Sequence, residues 1–155
     1  MSAKWVLLES SIRDDLRSIE RLYEDLGHPR LDGSETEEER IVVAYRLHNL
    51  YSAFENIFRN IAAAFENRLD ERGGWHRELL RRMRLDLQPV RPALIDDETY
   101  EKLDEMLRFR HLFRAAYSVS FDPARLRLVL DKALDLRPLY PPQVERFLEF
   151  LHLLE

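Results

Sequence analysis

Cysteine is absent from the 155-residue chain. That excludes disulfide staples, thiolate metal sites and a thiol nucleophile, and it fits a reducing compartment. Glycine occurs only four times, and the four are not arranged as a loop that could cradle a phosphate. No apolar run approaches the roughly 20 residues that a bilayer-spanning helix needs. Met1-Ser2-Ala3-Lys4-Trp5 leads into an acidic amphipathic segment and lacks the uninterrupted apolar core of a signal peptide. The expectation is a cytoplasmic protein without a membrane partner. The histidines, at 28, 48, 76, 111 and 152, show no metal-ligand spacing, and no serine sits in a nucleophile elbow. No metal and no cofactor are expected. Segments alternating apolar and polar residues with period two are also missing, so strands are not expected.

Apolar residues make up 45 % of the chain and charged residues 34 %, a balance that suits a surface-rich helical protein with a real core. The length suits one domain, taken as residues 1–155. The net charge of −5 is uneven: residues 1–40 carry six basic and eleven acidic groups, and residues 41–95 nine basic and six acidic. Two windows are rich in arginine. One holds Arg77, Arg81, Arg82, Arg84 and Arg91; the other holds Arg108, Arg110, Arg114, Arg125 and Arg127. Arginine clusters can engage phosphates, although each window alone reads first as solvated helix surface.

The apolar residues recur with helical spacing. Trp5, Leu8, Ile12, Leu16, Ile19, Leu22 and Leu26 form one stripe, with Ser2 as a starting cap and Gly27 and Pro29 as the stop. Ser34, with Glu37 three residues on, reads as a capping box for a second helix. Its stripe is Ala44, Leu47, Tyr51, Phe54, Phe58, Ile61 and Phe65, widened by Ile41, Tyr45, Leu50 and Ile57. A face that broad predicts neighbours on more than one side, and hence the spine of a bundle. Gly73-Gly74 precedes a short basic helix, and a proline-containing loop follows to Asp97. Asp96 or Asp97 caps a fourth helix with Leu103, Met106, Arg110, Phe113 and Tyr117 on one stripe. Asp122-Pro123 opens a fifth, and Pro138, Pro141 and Pro142 separate it from a last one. The spacing predicts helices near 4–26, 36–68, 75–85, 98–117, 123–136 and 143–154. The fold class is all-α, an antiparallel bundle of five to six helices.

Chemistry concentrates in Arg108-Phe109-Arg110-His111-Leu112-Phe113-Arg114-Ala115-Ala116-Tyr117. Arg110 sits on an apolar stripe, where a guanidinium is costly without a partner. The plain alternative is a side chain that packs its stem and keeps its head wet. Tyr117, seven residues on, shares that face, and its plain reading is a core tyrosine with its hydroxyl at the rim. Three arginines, a histidine and a tyrosine within ten residues could bind phosphate and move protons. Those are the residue types that RNA cleavage through its own 2′-hydroxyl requires.

This stretch resembles the motif of HEPN ribonucleases, in which an arginine is followed after four residues by a histidine. It resembles most the HepT-like toxins, which extend the motif to a tyrosine in the setting Phe-Arg-His-x-Phe-Arg-His-x-Tyr. The match holds at every specified position except Ala115, where the family histidine belongs. Leu47-His48-Asn49-Leu50-Tyr51 with Glu55, Ile57 and Phe58, and Trp75-His76-Arg77-Glu78-Leu79-Leu80, resemble the family's long second helix and short basic helix. The resemblance covers roughly residues 5–136.

The resemblance implies a metal-independent endoribonuclease toxin with tRNA among its targets. It implies a homodimer in which two motif copies line one cleft, and a neighbouring nucleotidyltransferase antitoxin, MntA, that transfers AMP to the motif tyrosine. Arg110 then corresponds to the catalytic arginine, Ala115 to the position of the missing histidine, and Tyr117 to the catalytic-site tyrosine that is modified. Arg108, His111 and Arg114 would contact RNA.

Helix geometry adds a check: a functional pair at 110 and 115 must use the helix end, long side chains or a second protomer, and a dimer cleft supplies the last. At 100° per residue, position 115 lies about 140° around from Arg110, and Tyr117 only about 20°. His111 lies about 40° from position 115 on the same count. Alanine cannot serve as acid, base or donor. Two readings of Ala115 stay open: a disabled His-to-Ala form of an active toxin, or a naturally noncatalytic binding module that keeps the RNA or antitoxin surface. A helical adaptor unrelated to RNA is a third.

Overall fold

A computed structural model describes residues 1–66, 72–115 and 122–155, with side chains throughout except at 114 and 115. It contains α1 (Ala3–Leu26), α2 (Glu37–Phe65), α3 (Trp75–Met83), α4 (Asp97–Ala115), α5 (Pro123–Leu136) and α6 (Tyr140–Leu151). Among the described residues there is no strand, only an isolated bridge between Leu87 and Arg91.

The helix ends follow from capping chemistry. Gly27, at φ 58°, stops α1 and returns its amide to the Tyr23 carbonyl. Ser2 stands at the N-cap of α1, but its side chain makes no capping bond. The cap of α2 is Thr36 rather than Ser34: the Thr36 hydroxyl accepts from the Glu39 amide at 3.1 Å, and the two side chains also meet at 3.3 Å. Ser34 bonds Asp32 instead. Glu37, Glu38 and Glu39 then place negative charge in the first turn, where the helix dipole favours it. Asp96 caps α4 by accepting from the Thr99 amide at 2.8 Å, and Asp122 caps α5 through the Ala124 amide.

The last helix is the largest departure from the predicted boundaries. It runs Tyr140–Leu151 rather than 143–154, because Pro141 and Pro142 fall within its first turn. Amides there have no intrahelical acceptor, so prolines cost no hydrogen bond. The expected ends of the second and fourth helices, at 68 and 117, lie outside the described residues. The third is two residues shorter than predicted, and α5 has its predicted bounds.

The stripe of α1 is buried at Leu8, Ile12, Ile19 and Leu26, joined by Tyr23. It lies antiparallel to α2: Asp15 pairs with Asn56, Ser11 with Asn60, and Trp5 stacks on Phe65 at 4.8 Å. The partner numbers rise along one helix as they fall along the other. Of the other helices, α1, α3, α4 and α5 all pack against α2. The long helix is therefore the spine its broad apolar face predicts. The widening fails at one end, however: Ile41 and Tyr45 are exposed together with Val42, since no described element covers that side of the first turns. At the opposite edge, Gln143 of α6 accepts from the Asp96 amide and donates to the Thr99 hydroxyl, tying the start of α4 to α6.

Candidate active site between α2, α3 and α4

α4 runs antiparallel to α2 at this site. Arg110 Nε donates to the Ser52 hydroxyl at 3.4 Å, and Phe113 lies against His48 with ring centroids 5.1 Å apart. Leu103, Met106, Leu107 and Phe109 bury the same helix. Arg110 is carried inward with them and is only 9 % exposed. Its Nη1 is enclosed and has no hydrogen-bond partner among the described residues. The water-facing alternative for this side chain does not hold. A buried guanidinium with a bare donor is costly, and buried polar groups left open mark places where a ligand or water completes the set.

On the facing helix, about one turn of α2 carries Tyr51, Ser52 and Glu55. Glu55 is a buried carboxylate in an otherwise apolar stripe. Both of its oxygens lie within 2.9 Å of His76 Nδ1, delivered from the first turn of α3. A carboxylate only accepts, so Nδ1 carries the proton and Nε2 is the other ring position. The His76 ring is packed on Trp75, at 3.6 Å between centroids, and meets the His111 ring edge to face at 5.9 Å. Arg59 lies over Trp75. Burial, and next the Glu55 carboxylate, hold the Tyr51 hydroxyl well above its ordinary pKa, with Arg110 pulling the other way. Tyr51 is therefore a neutral phenol at physiological pH, unsuited to act as a base.

The structure thus brings Arg110 and His111 into one cluster with Ser52, Glu55 and His76. It does not bring Arg108 there: that side chain is exposed and paired with Asp104 at 3.0 Å. Arg114 and Ala115 close α4, but their side chains, like the whole of Tyr117, lie outside the described residues.

The arginine windows are largely neutralised from within. Arg81 and Arg82 pair with Glu78, Arg84 with Asp97, and Arg125 with Glu105. Arg91 is not surface at all: it is fully buried on Glu66 and three backbone carbonyls. The residues that sequence reasoning did not place in a site are Ser52, Glu55 and His76. Glu55 carried a signal of the same kind as Arg110, a charge set four residues after Tyr51 on an apolar stripe.

An all-α bundle with a charged cluster between its spine and two shorter helices defines a class. The particular family follows from a family model described as HepT-like protein, which matches residues 42–151. The chain belongs to the HepT-like family, and it is a HEPN-type protein. The match begins within α2, ends with the last residue of α6 and takes in the whole cluster. No curated protein and no solved structure matches the chain.

Proposed function

We propose that this chain is the toxin of a HEPN-type toxin–antitoxin pair. It is built as a metal-independent endoribonuclease with tRNA among its substrates, and it forms a single HEPN-like unit over residues 1–155. The observation that carries the reading is Arg110: the family's motif arginine, buried on the inner face of α4 with Nη1 open. A fixed positive charge of that kind suits the scissile phosphate, because guanidinium holds its proton throughout the physiological range.

Cleavage also needs proton transfer, and imidazole is the side chain that titrates near neutrality. Ala115 removes that group from the motif, so this chain is a disabled form of the enzyme. Ala115→His should raise metal-independent cleavage of tRNA by about 10²–10⁴-fold, the usual worth of general acid–base catalysis. The gain should persist in EDTA and vanish when Arg110→Ala is added. Equal activity of the alanine and histidine forms would sink this assignment.

A homodimer brings two copies of the 110–117 stretch to one cleft, which would reconcile the directions of positions 110 and 115. Light scattering at micromolar concentration should give twice the chain mass. The cognate partner is an MntA-like nucleotidyltransferase that transfers AMP to Tyr117, adding negative charge beside the arginines. Incubation with that enzyme and ATP should add AMP to Tyr117 by mass spectrometry, and Tyr117→Phe should abolish the label. The protein acts in the cytoplasm, where its RNA substrates are.

Ala115 also favours a second reading, a noncatalytic HEPN module that keeps RNA or antitoxin binding. In that case Ala115→His leaves the chain inert while RNA still binds in an Arg110-dependent way.

A further inference from the structure

The described part of the family motif lies on α4, but a carboxylate–imidazole pair reaches the same cluster from α2 and α3. Glu55 and His76 are 6 % and 14 % exposed at their side chains, and Nδ1 sits 2.8 Å from the nearer oxygen. The contrast with His152 is instructive. That ring pairs with Glu9 at a similar distance but is 55 % exposed at the end of α6, where such a pair holds nothing in place. His76 is held on three sides: by Glu55, by the Trp75 face, and by the His111 edge. The groups packed around it are therefore Glu55 from α2, Trp75 from its own helix with Arg59 of α2 behind it, and His111 from α4. A buried carboxylate accepting from Nδ1 fixes the ring's tautomer and orientation, which leaves Nε2 as the atom that can take up a proton.

We propose that His76, oriented by Glu55, is a catalytic proton-transfer residue of this site whatever stands at position 115, with His111 standing in for the motif imidazole and sustaining only residual cleavage in this chain. The proposal rests on the ribonuclease reading above. In the step it performs, the 2′-hydroxyl proton passes to His76 Nε2 as the 2′-oxygen attacks phosphorus. The bond from phosphorus to the 5′-oxygen breaks, and that oxygen leaves with a proton from the His111 imidazolium. The products are a 2′,3′-cyclic phosphate and a 5′-hydroxyl, with Arg110 balancing charge on the non-bridging oxygens. No oxidant, reductant or further reactant is needed. Glu55 acts through His76 and is a positioning residue.

The test is single-turnover cleavage of a labelled tRNA by the full chain and by its Ala115→His form, each with and without His76→Asn. Asparagine keeps an amide donor where Nδ1 was, so Glu55 stays satisfied. His76→Gln serves as the second variant should the first lose cooperative unfolding. Either substitution should slow cleavage at least about tenfold in both backgrounds, at the lower edge of what a positioned acid or base contributes. One limb of the pH–rate profile should disappear, and RNA affinity by filter binding should hold. Glu55→Gln should lower the rate less while keeping that limb.

An unchanged rate and profile in the His76 variants, with Arg110→Ala still abolishing cleavage, would overturn the proposal and leave the ribonuclease reading standing. Cleavage by the Ala115→His form alone, with none by the native chain, would overturn the stand-in role of His111. Absence of cleavage in every form would remove the ribonuclease reading itself.

Discussion

Among the described residues two arginines are buried, and they are partnered differently. Arg91, in the connector after α3, is wholly enclosed, and its guanidinium is fully employed. It pairs with Glu66 and donates to the carbonyls of Arg82, Leu85 and Pro92, with the carbonyl distances between 3.1 and 3.4 Å. Arg110, on α4, has one long contact to Ser52 and an enclosed Nη1 with nothing to bond among the described residues. The first ties the end of α2 to the chain after α3 and has no donor left for a ligand. The second is under-satisfied by the fold, which is the state expected of a group whose partner arrives from outside. Both are arginines withdrawn from solvent; the partner set separates architecture from chemistry.

The sharpest way to break that comparison is through activity. In the Ala115→His form, Arg110→Ala should abolish tRNA cleavage, a loss of the order of 10³-fold where a charge-stabilising donor is removed. An Arg91 substitution that still folds should leave single-turnover rates unchanged.

Stability should show the reverse. Arg91→Leu strands the Glu66 carboxylate and three carbonyls, and removing one partner of a buried pair typically costs about 3–5 kcal/mol. Urea unfolding followed by circular dichroism would measure it. Arg110→Met should fall within about 1 kcal/mol of the native chain, or exceed it, because an apolar side chain of similar length relieves an unpaired buried donor. A loss at Arg110 as large as that at Arg91 would collapse the distinction.

The smallest effect should come from a third, surface arginine. Arg137 pairs with Glu20 at 2.9 Å, and the Tyr140 hydroxyl donates to the same carboxylate. Burial raises the Glu20 pKa, but the Tyr140 and Arg137 contacts outweigh it, and the net shift is downward. A carboxylate lowered in the folded state stabilises the protein above its unfolded pKa, and that contribution is lost as pH falls through the folded value. Glu20→Gln should therefore lower the Tm at pH 7 by a small amount, about 0.2–1 kcal/mol in stability for a half-exposed pair. The difference from the native chain should close below the ordinary carboxylate range. A gap that persists at low pH would mean that packing, not charge, is responsible.

Much of this was legible in order along the chain, because it depends on periodicity. The stripes of α1 and α2, the stop at Gly27 and the Asp122-Pro123 start of α5 are local matters of spacing, φ and capping. So was the arginine on the apolar stripe of α4, since a charge out of phase with its helix is visible without coordinates. The misplacements were equally local in cause. Thr36 outcompeted Ser34 because Ser34 was engaged by Asp32 two residues earlier. Pro141 and Pro142 read as breakers because the number of helical turns before them could not be seen.

What the sequence by itself determined, then, is the helical class, the family motif and the alanine at 115, each carried by residues within a few positions of one another. The tertiary structure alone decided which charges were paired and which were open. Arg91 looked like one member of a basic surface and became a core ion pair, because Glu66 reached it across 25 positions. Glu55 and His76 are 21 residues apart and on different helices, and only the packing of α3 onto α2 makes them one dyad beside Arg110. Hydrogen-bond partners are chosen by distance in space, and helix periodicity carries no information about which helices will touch.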